Sequence, residues 1–152
     1  MINIIQGNAH DVGAIMPVMN DAFDQSYGEA WTSAQCLSLL ALPGSKLLIA
    51  RHAGDVAGFA MTRWVLDEEE LMMIGVAKAN QRRDIGAQIL NTVIEQAIAE
   101  GRKKLFLEVR KGNEAEYFYQ SAGFEAVGIR KDYYKGAHDI FYSAITMVRM
   151  LQ

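Results

Sequence analysis

The sequence predicts a mixed α/β fold, a mostly antiparallel twisted sheet flanked by helices, and three observations carry that expectation. Apolar runs recur between Lys46 and Val76 with short turn signals between them, the pattern of an antiparallel meander. A helical stripe then leads from Ile85 to Ile98 into a short apolar run, Leu105 to Val109, so a β-α-β crossover interrupts the meander. The chain has 152 residues, 51% hydrophobic and 22% charged, which suits a single globular domain spanning 1–152.

Taken in order, Ile2, Ile4 and Ile5 read as an opening strand. From Asn8 the spacing of Val12, Ile15, Met19, Ala22 and Phe23 is helical, and Pro17 inside it is expected to bend or split the helix. Thr32 and Gln35 form a capping box for a second helix, with Trp31 placed to pack on Cys36 and Pro43-Gly44 as the stop. Strands follow at Lys46 to Arg51, Val56 to Leu66 and Glu70 to Val76, divided by turns at Ala53-Gly54-Asp55 and Asp67-Glu68-Glu69; the acidic turn is expected to be solvated. The long helix carries Ile85, Ile89, Leu90, Val93, Ile94, Ala97 and Ile98 on one stripe and closes at Gly101. After the strand at Leu105 to Val109, Asn113 and Glu116 pair as a cap for a short helix ending at Gly123. Two last strands, about Phe124 to Arg130 and Ile140 to Arg149, flank a polar aromatic loop.

Composition excludes several classes of function. One cysteine, Cys36, allows no internal disulfide framework and no multi-cysteine metal site, and the three histidines are scattered. No stretch approaches the roughly 18 apolar residues of a membrane helix, and Met1 to Gly13 lacks the pattern of a signal peptide, so a cytoplasmic protein without a membrane partner is expected. Fifteen basic against 18 acidic residues give a net charge of −3, which offers nucleic acid no general attraction.

The most informative segment is M-M-I-G-V-A-K-A-N-Q-R-R-D-I-G-A, Met72 to Ala87. An apolar strand ends, and two arginines precede a helix opening through Asp84, Ile85, Gly86 and Ala87. Unpaired N–H groups and the positive end of the helix dipole favour an anionic phosphate there, and Gly86 lets a ligand approach the backbone. The plainer reading is a surface loop before an amphipathic helix.

Q-R-R-D-I-G-A resembles the Q/R-x-x-G-x-G/A acetyl-CoA loop of the GNAT N-acetyltransferases, and the element order is similar to the GNAT fold. V-L-D-E-E-E-L-M-M-I-G-V, F-L-E-V-R-K-G-N, F-Y-Q-S-A-G-F and I-R-K-D-Y-Y resemble the RimI type, the ribosomal-protein N-terminal alanine acetyltransferases. The resemblance covers nearly the whole chain, most specifically residues 56 to 134. It implies that Ile74, Gly75 and Val76 run beside the pantetheine arm of acetyl-CoA as a pseudo-strand, one N–H polarising the thioester carbonyl. It further implies that Arg82, Arg83, Asp84, Ile85, Gly86 and Ala87 hold the pyrophosphate, that Asn113 contacts the co-substrate, that Glu108 is the general base and that Tyr119 is the general acid. Tyr27 and Trp31, and Tyr133 and Tyr134 in the last loop, would border the groove for an extended peptide N-terminus. No metal is implied.

Three features depart from the family pattern. Asp84 stands where the first loop glycine is usual; its carboxylate repels a diphosphate, though aspartate tolerates unusual backbone angles and can cap a helix. Lys78 stands where proline is common and is expected to loosen the hinge. The segment between Glu108 and Tyr119 is one residue shorter than the usual pattern.

The chemistry agrees with these roles. An acceptor amine must be neutral to attack a thioester, and an α-amine, with a pKa of about 7.7–8.0, needs far less help than a lysine at about 10.4. Strand alternation puts Glu108 on the face of Phe106, opposite Leu105 and Leu107; an ion pair with Arg110 or Arg130 is the alternative to a catalytic role. Tyr119 shares a helical stripe with Ala115, Phe118 and Ala122, as a core tyrosine also would. The function expected is transfer of acetyl from acetyl-CoA to the N-terminal α-amine of a protein. The alternatives are a small-molecule amine or a lysine as acceptor, or a non-catalytic acyl-CoA sensor.

Overall fold

The computed structural model describes residues 2–81 and 84–151. Strand β1 (Ile2–Gly7) is followed by helices α1 (Val12–Ala22) and α2 (Ser33–Leu40), then by the meander β2 (Ser45–His52), β3 (Asp55–Val65) and β4 (Glu68–Val76). Helix α3 (Ile85–Ala99) crosses to β5 (Lys104–Arg110), and helix α4 (Ala115–Ser121) precedes the hairpin of β6 (Glu125–Lys135) and β7 (Phe141–Met150). Among the described residues the strands form one sheet in the order β1-β2-β3-β4-β5-β7-β6. Neighbours are antiparallel except β4 and β5, the pair joined by the α3 crossover.

Both faces of the central strands are covered, so β2 is a continuous apolar run. Leu48 and Ala50 join a cluster built on α3 (Ile85, Ile89, Leu90, Val93, Ile94), whereas Leu47 and Ile49 join one built on α1 and α2 (Ile15, Met19, Cys36, Leu39). The Thr32–Gln35 capping box at α2 forms in both directions, Gln35 N–H to Thr32 Oγ1 at 3.2 Å and Thr32 N–H to Gln35 Oε1 at 2.8 Å.

Two features position the site. The register of β3 against β4 shifts so that Met61 opposes Met73 and Thr62 opposes Leu71, leaving Met72 as a bulge. Leu71 therefore packs in the α3 cluster and Met73 in the α1–α2 cluster, opposite faces for residues only two apart. Beyond it, β4 and β5 part. Among the described residues their ladder holds Glu68 to Lys104, Glu69 to Leu105 and Glu70 to Phe106, and from Leu71 onward the β5-facing edge of β4 has no strand partner there.

Four expectations need correction. Helix α1 runs unbroken through Pro17, and the segment from Asn8 is first a short 3-10 turn closed by an Asn8–Asp11 capping box. Packing of Val12, Ile15, Val18 and Met19 outweighs the one backbone hydrogen bond that Pro17 forgoes. The acidic turn is shorter than expected: Glu68 to Glu70 are already in β4, and Glu69 is 1% exposed, its carboxylate 3.7 Å from the Arg102 guanidinium. Tyr133 and Tyr134 lie inside β6 rather than in a loop, because pairing with β7 resumes at Tyr134–Tyr142 after an irregularity in which Asp132 has φ 53°. Lys78 does not loosen the hinge: its N–H, which a proline would lack, donates to Asp21 Oδ2 at 2.6 Å.

Candidate active site

The parting of β4 and β5 opens two adjoining clefts. The larger, of about 570 Å³, is lined by Ile74, Gly75 and Val76 along the unpaired edge of β4, by Gly86, and by Tyr27, Arg110 and Phe118. The smaller, of about 140 Å³, is lined by Glu70, Met72, Leu107 and Glu108 with Trp31, Tyr133 and Tyr134. Phe23, Glu29, Ile74, Asn113, Ala115 and Tyr119 line both, so Tyr119 stands where they meet.

At the mouth of the larger cleft, α3 begins. Asp84 sits at its N-cap with φ 58° and ψ 18°, left-handed backbone that glycine adopts without strain. Its side chain makes no capping hydrogen bond, so of the two ways aspartate can suit this position the structure shows the tolerated backbone angle and not the cap. Asp84, Ile85, Gly86 and Ala87 line a further hollow of about 280 Å³ with Val76 and Gln81. A Cβ on Gly86 would meet Phe118 at 3.5 Å and Val76 at 3.6 Å, at the wall of the larger cleft. The first turn of α3 and the β4 edge beyond Glu70 thus present backbone polar groups to adjoining hollows. Arg82 and Arg83, expected to add charge here, lie outside the described residues.

Glu108 follows the alternation of β5: Leu105, Leu107 and Val109 are buried under α3 and α4, and Glu108 projects from the other face. Its side chain is 4% exposed and both oxygens are engaged, Oε1 with Arg130 Nε at 3.1 Å and Oε2 with the Thr146 hydroxyl at 2.5 Å. The anticipated ion pair with Arg130 therefore exists, and Glu108 still lines the cleft. Glu70 lines the same cleft. Burial, and then the negative charge of Glu108, raise its carboxyl above the ordinary value, against Arg130 and Arg63.

Tyr119 is buried between Phe118 and Phe124, with ring centroids 5.2 Å and 5.9 Å away. Burial first, with the charge of Glu29 adding, holds its phenol well above the usual tyrosine range, so it is a neutral donor at neutral pH. Burial does the same to Tyr134, whose hydroxyl donates to the Glu108 carbonyl at 3.4 Å.

The structure thus brings Glu108, Tyr119, Trp31, Tyr133 and Tyr134 to one cleft, and Ile74, Gly75, Val76 and Gly86 to the other. Tyr27 is set apart from the other aromatics: it lines the larger cleft, beneath the Arg110 guanidinium at 3.6 Å. Asn113 lines both clefts, but its amide is engaged internally, Oδ1 accepting from Ala115 N–H at 2.9 Å and Nδ2 donating to Glu29 at 3.2 Å. Sequence reasoning missed Glu29, Glu70 and Thr146. The alternation of Glu69 and Glu70 ahead of Leu71 was a signal for Glu70; nothing local signalled Glu29 or Thr146, which act through long-range contacts.

A sheet that parts between two parallel neighbours, with a helix N-terminus at the mouth of the gap, is the arrangement of an acyl-CoA-dependent acyltransferase fold. The chain belongs to the acetyltransferase (GNAT) domain family, whose model matches residues 18–137. Over 80 residues it is 39% identical to the ribosomal protein bS18-alanine N-acetyltransferase of Haemophilus influenzae, a match covering 53% of this chain and 55% of that one. Over 112 residues it is 35% identical to the N-alpha-acetyltransferase RimI of Mycobacterium tuberculosis, covering 70% and 69%. The match spans about half the length of the first of these relatives. The crystal structure of the ribosomal-protein-S18-alanine N-acetyltransferase from Escherichia coli superposes with a TM-score of 0.89 at 29% identity, covering 100% of this chain and 95% of that one.

Proposed function

We propose that this chain is a single-domain, cytoplasmic N-acetyltransferase of RimI type that moves acetyl from acetyl-CoA to the N-terminal α-amine of a protein, with a ribosomal protein as acceptor. One observation carries the reading: Glu108 and Tyr119 share a cleft that opens where the β4 edge is unpaired. The relatives' names supply the acceptor class.

In this mechanism the backbone of Ile74 to Val76 aligns the thioester arm, and the first turn of α3 holds the diphosphate. Trp31, Tyr133 and Tyr134 flank the incoming peptide. Glu108 takes the proton from the α-amine. The nitrogen bonds to the acetyl carbon, the carbon–sulfur bond breaks, and Tyr119 donates to the departing sulfur. Alignment of amine and thioester supplies much of the rate.

Acetyl transfer to a panel of N-terminal peptides and small amines, read by mass spectrometry, tests the reading. Glu108→Gln is expected to lose about 10²-fold or more in turnover, and Tyr119→Phe to slow release of the thiol. Reaction with small amines alone overturns the acceptor assignment. Unchanged CoA binding with no turnover in the parent protein overturns the enzyme.

A further inference from the structure

We propose that Glu29 is a positioning residue for acetyl transfer: its carboxylate clamps the turn between β5 and α4 and so fixes the distance from Glu108, on the strand, to Tyr119, on the helix. The inference rests on the reading of those two residues as base and acid. Glu29 reaches in from the α1–α2 connection, and its side chain is 11% exposed. One oxygen accepts from Arg110 Nε at 2.9 Å and the other from Asn113 Nδ2 at 3.2 Å.

Those two partners bracket the turn. Arg110 is the last residue of β5, two after Glu108; Asn113 stands just ahead of α4, its Oδ1 accepting from the Ala115 N–H at 2.9 Å. Between them Gly112 has φ 90°, a conformation that fits the tight turn but leaves the chain free to hinge there. The clamp is braced from behind, because the Arg110 guanidinium lies 3.6 Å from the Tyr27 ring centroid and Tyr27 meets Tyr142 edge-on at 5.2 Å. Base and acid therefore sit on separate elements joined by a short turn, and one part-buried carboxylate from a third segment grips both ends of it. Each Glu29 oxygen is held by one end of the turn, so the side chain couples strand and helix from its place in the lining of both clefts.

Glu29→Gln keeps the volume but loses the ion pair with Arg110. Because small displacements of catalytic groups slow reactions steeply, kcat is expected to fall about tenfold or more. KM for acetyl-CoA and for the acceptor peptide should stay within about twofold, since glutamine keeps the volume that Glu29 contributes to the lining of both clefts. Adding Arg110→Gln to Glu29→Gln should then slow the enzyme little further, as both changes release the same contact. Should Glu29→Gln not fold, Glu29→Asp, one methylene shorter with its charge kept, carries the test with the same expected split. An unchanged kcat, or a raised KM for acetyl-CoA with kcat intact, overturns the proposal. Full activity in Glu108→Gln and Tyr119→Phe would instead overturn the reading on which it rests.

Discussion

Thr146 and Glu108 face each other across the β5–β7 ladder, hydroxyl to carboxylate at 2.5 Å. The contact fixes one oxygen of a nearly buried carboxylate, while the other meets an arginine that is itself 60% exposed. Thr146→Val removes the anchor and leaves Glu108 short of a donor. Stability is expected to fall by about 1.5–3 kcal/mol, the range for a hydrogen bond to a charged group, with kcat falling several-fold and KM for acetyl-CoA unchanged. Urea denaturation and steady-state kinetics read both; an unaltered kcat removes Thr146 from the site.

Asp84 combines a left-handed backbone with a carboxylate at the start of α3. Asp84→Gly relieves the conformation but adds chain entropy and loses a favourable charge at the helix start, terms of about 0.5–1 kcal/mol each that nearly cancel. Stability should therefore barely move, while CoA binds more tightly because a negative charge has left the diphosphate end. Calorimetric titration showing equal or weaker affinity contradicts this account of the loop.

Glu70 gives a pH signature. Its carboxyl is raised above the ordinary 4.5 by burial and then by Glu108, so the folded state holds that proton more tightly than the unfolded one. Stability then declines as pH rises through the window between the ordinary and the raised value. Glu70→Gln lacks this dependence, so its melting temperature relative to the parent should climb as pH rises above the ordinary carboxyl value and level off once Glu70 is ionised in the folded state. A flat or falling difference is the contrary result.

Glu69 and Arg102 test the other side of the strand. Their side chains are 1% and 9% exposed, and Trp64 lies 4.0 Å from the guanidinium. Arg102→Met strands a buried carboxylate and should destabilise by about 3–5 kcal/mol, whereas Arg102→Met with Glu69→Leu should recover most of that loss. Chemical denaturation of both variants decides; a double variant as unstable as the single one refutes the pairing.

What the sequence conveyed about the fold came from periodicity and caps. The apolar stripe of α3, the Thr32–Gln35 box and the turn at Ala53-Gly54 are local signals, and each reappears in the structure. Pro17 misled because burial of its neighbours overrides a local breaker. The acidic run misled because charge density reads as solvation, while the partner that buries Glu69 stands 33 positions later in the chain, at Arg102. At the site, the strand parity of Glu108 was readable from Leu105 and Leu107. Glu29 and Thr146 were not, since their partners lie far off in sequence and no short pattern encodes them.

The three-rung ladder between β4 and β5 has a mechanical consequence. Four strands with α1 and α2 stand on one side of this seam and three with α4 on the other, fastened at one end like a partly closed zip. A ligand lying along Ile74 to Val76 supplies the missing rungs, so occupancy should slow amide exchange at those positions and stiffen the seam. On the proposed reading, acetyl-CoA would serve as temporary scaffold, and the chain would be most rigid when loaded.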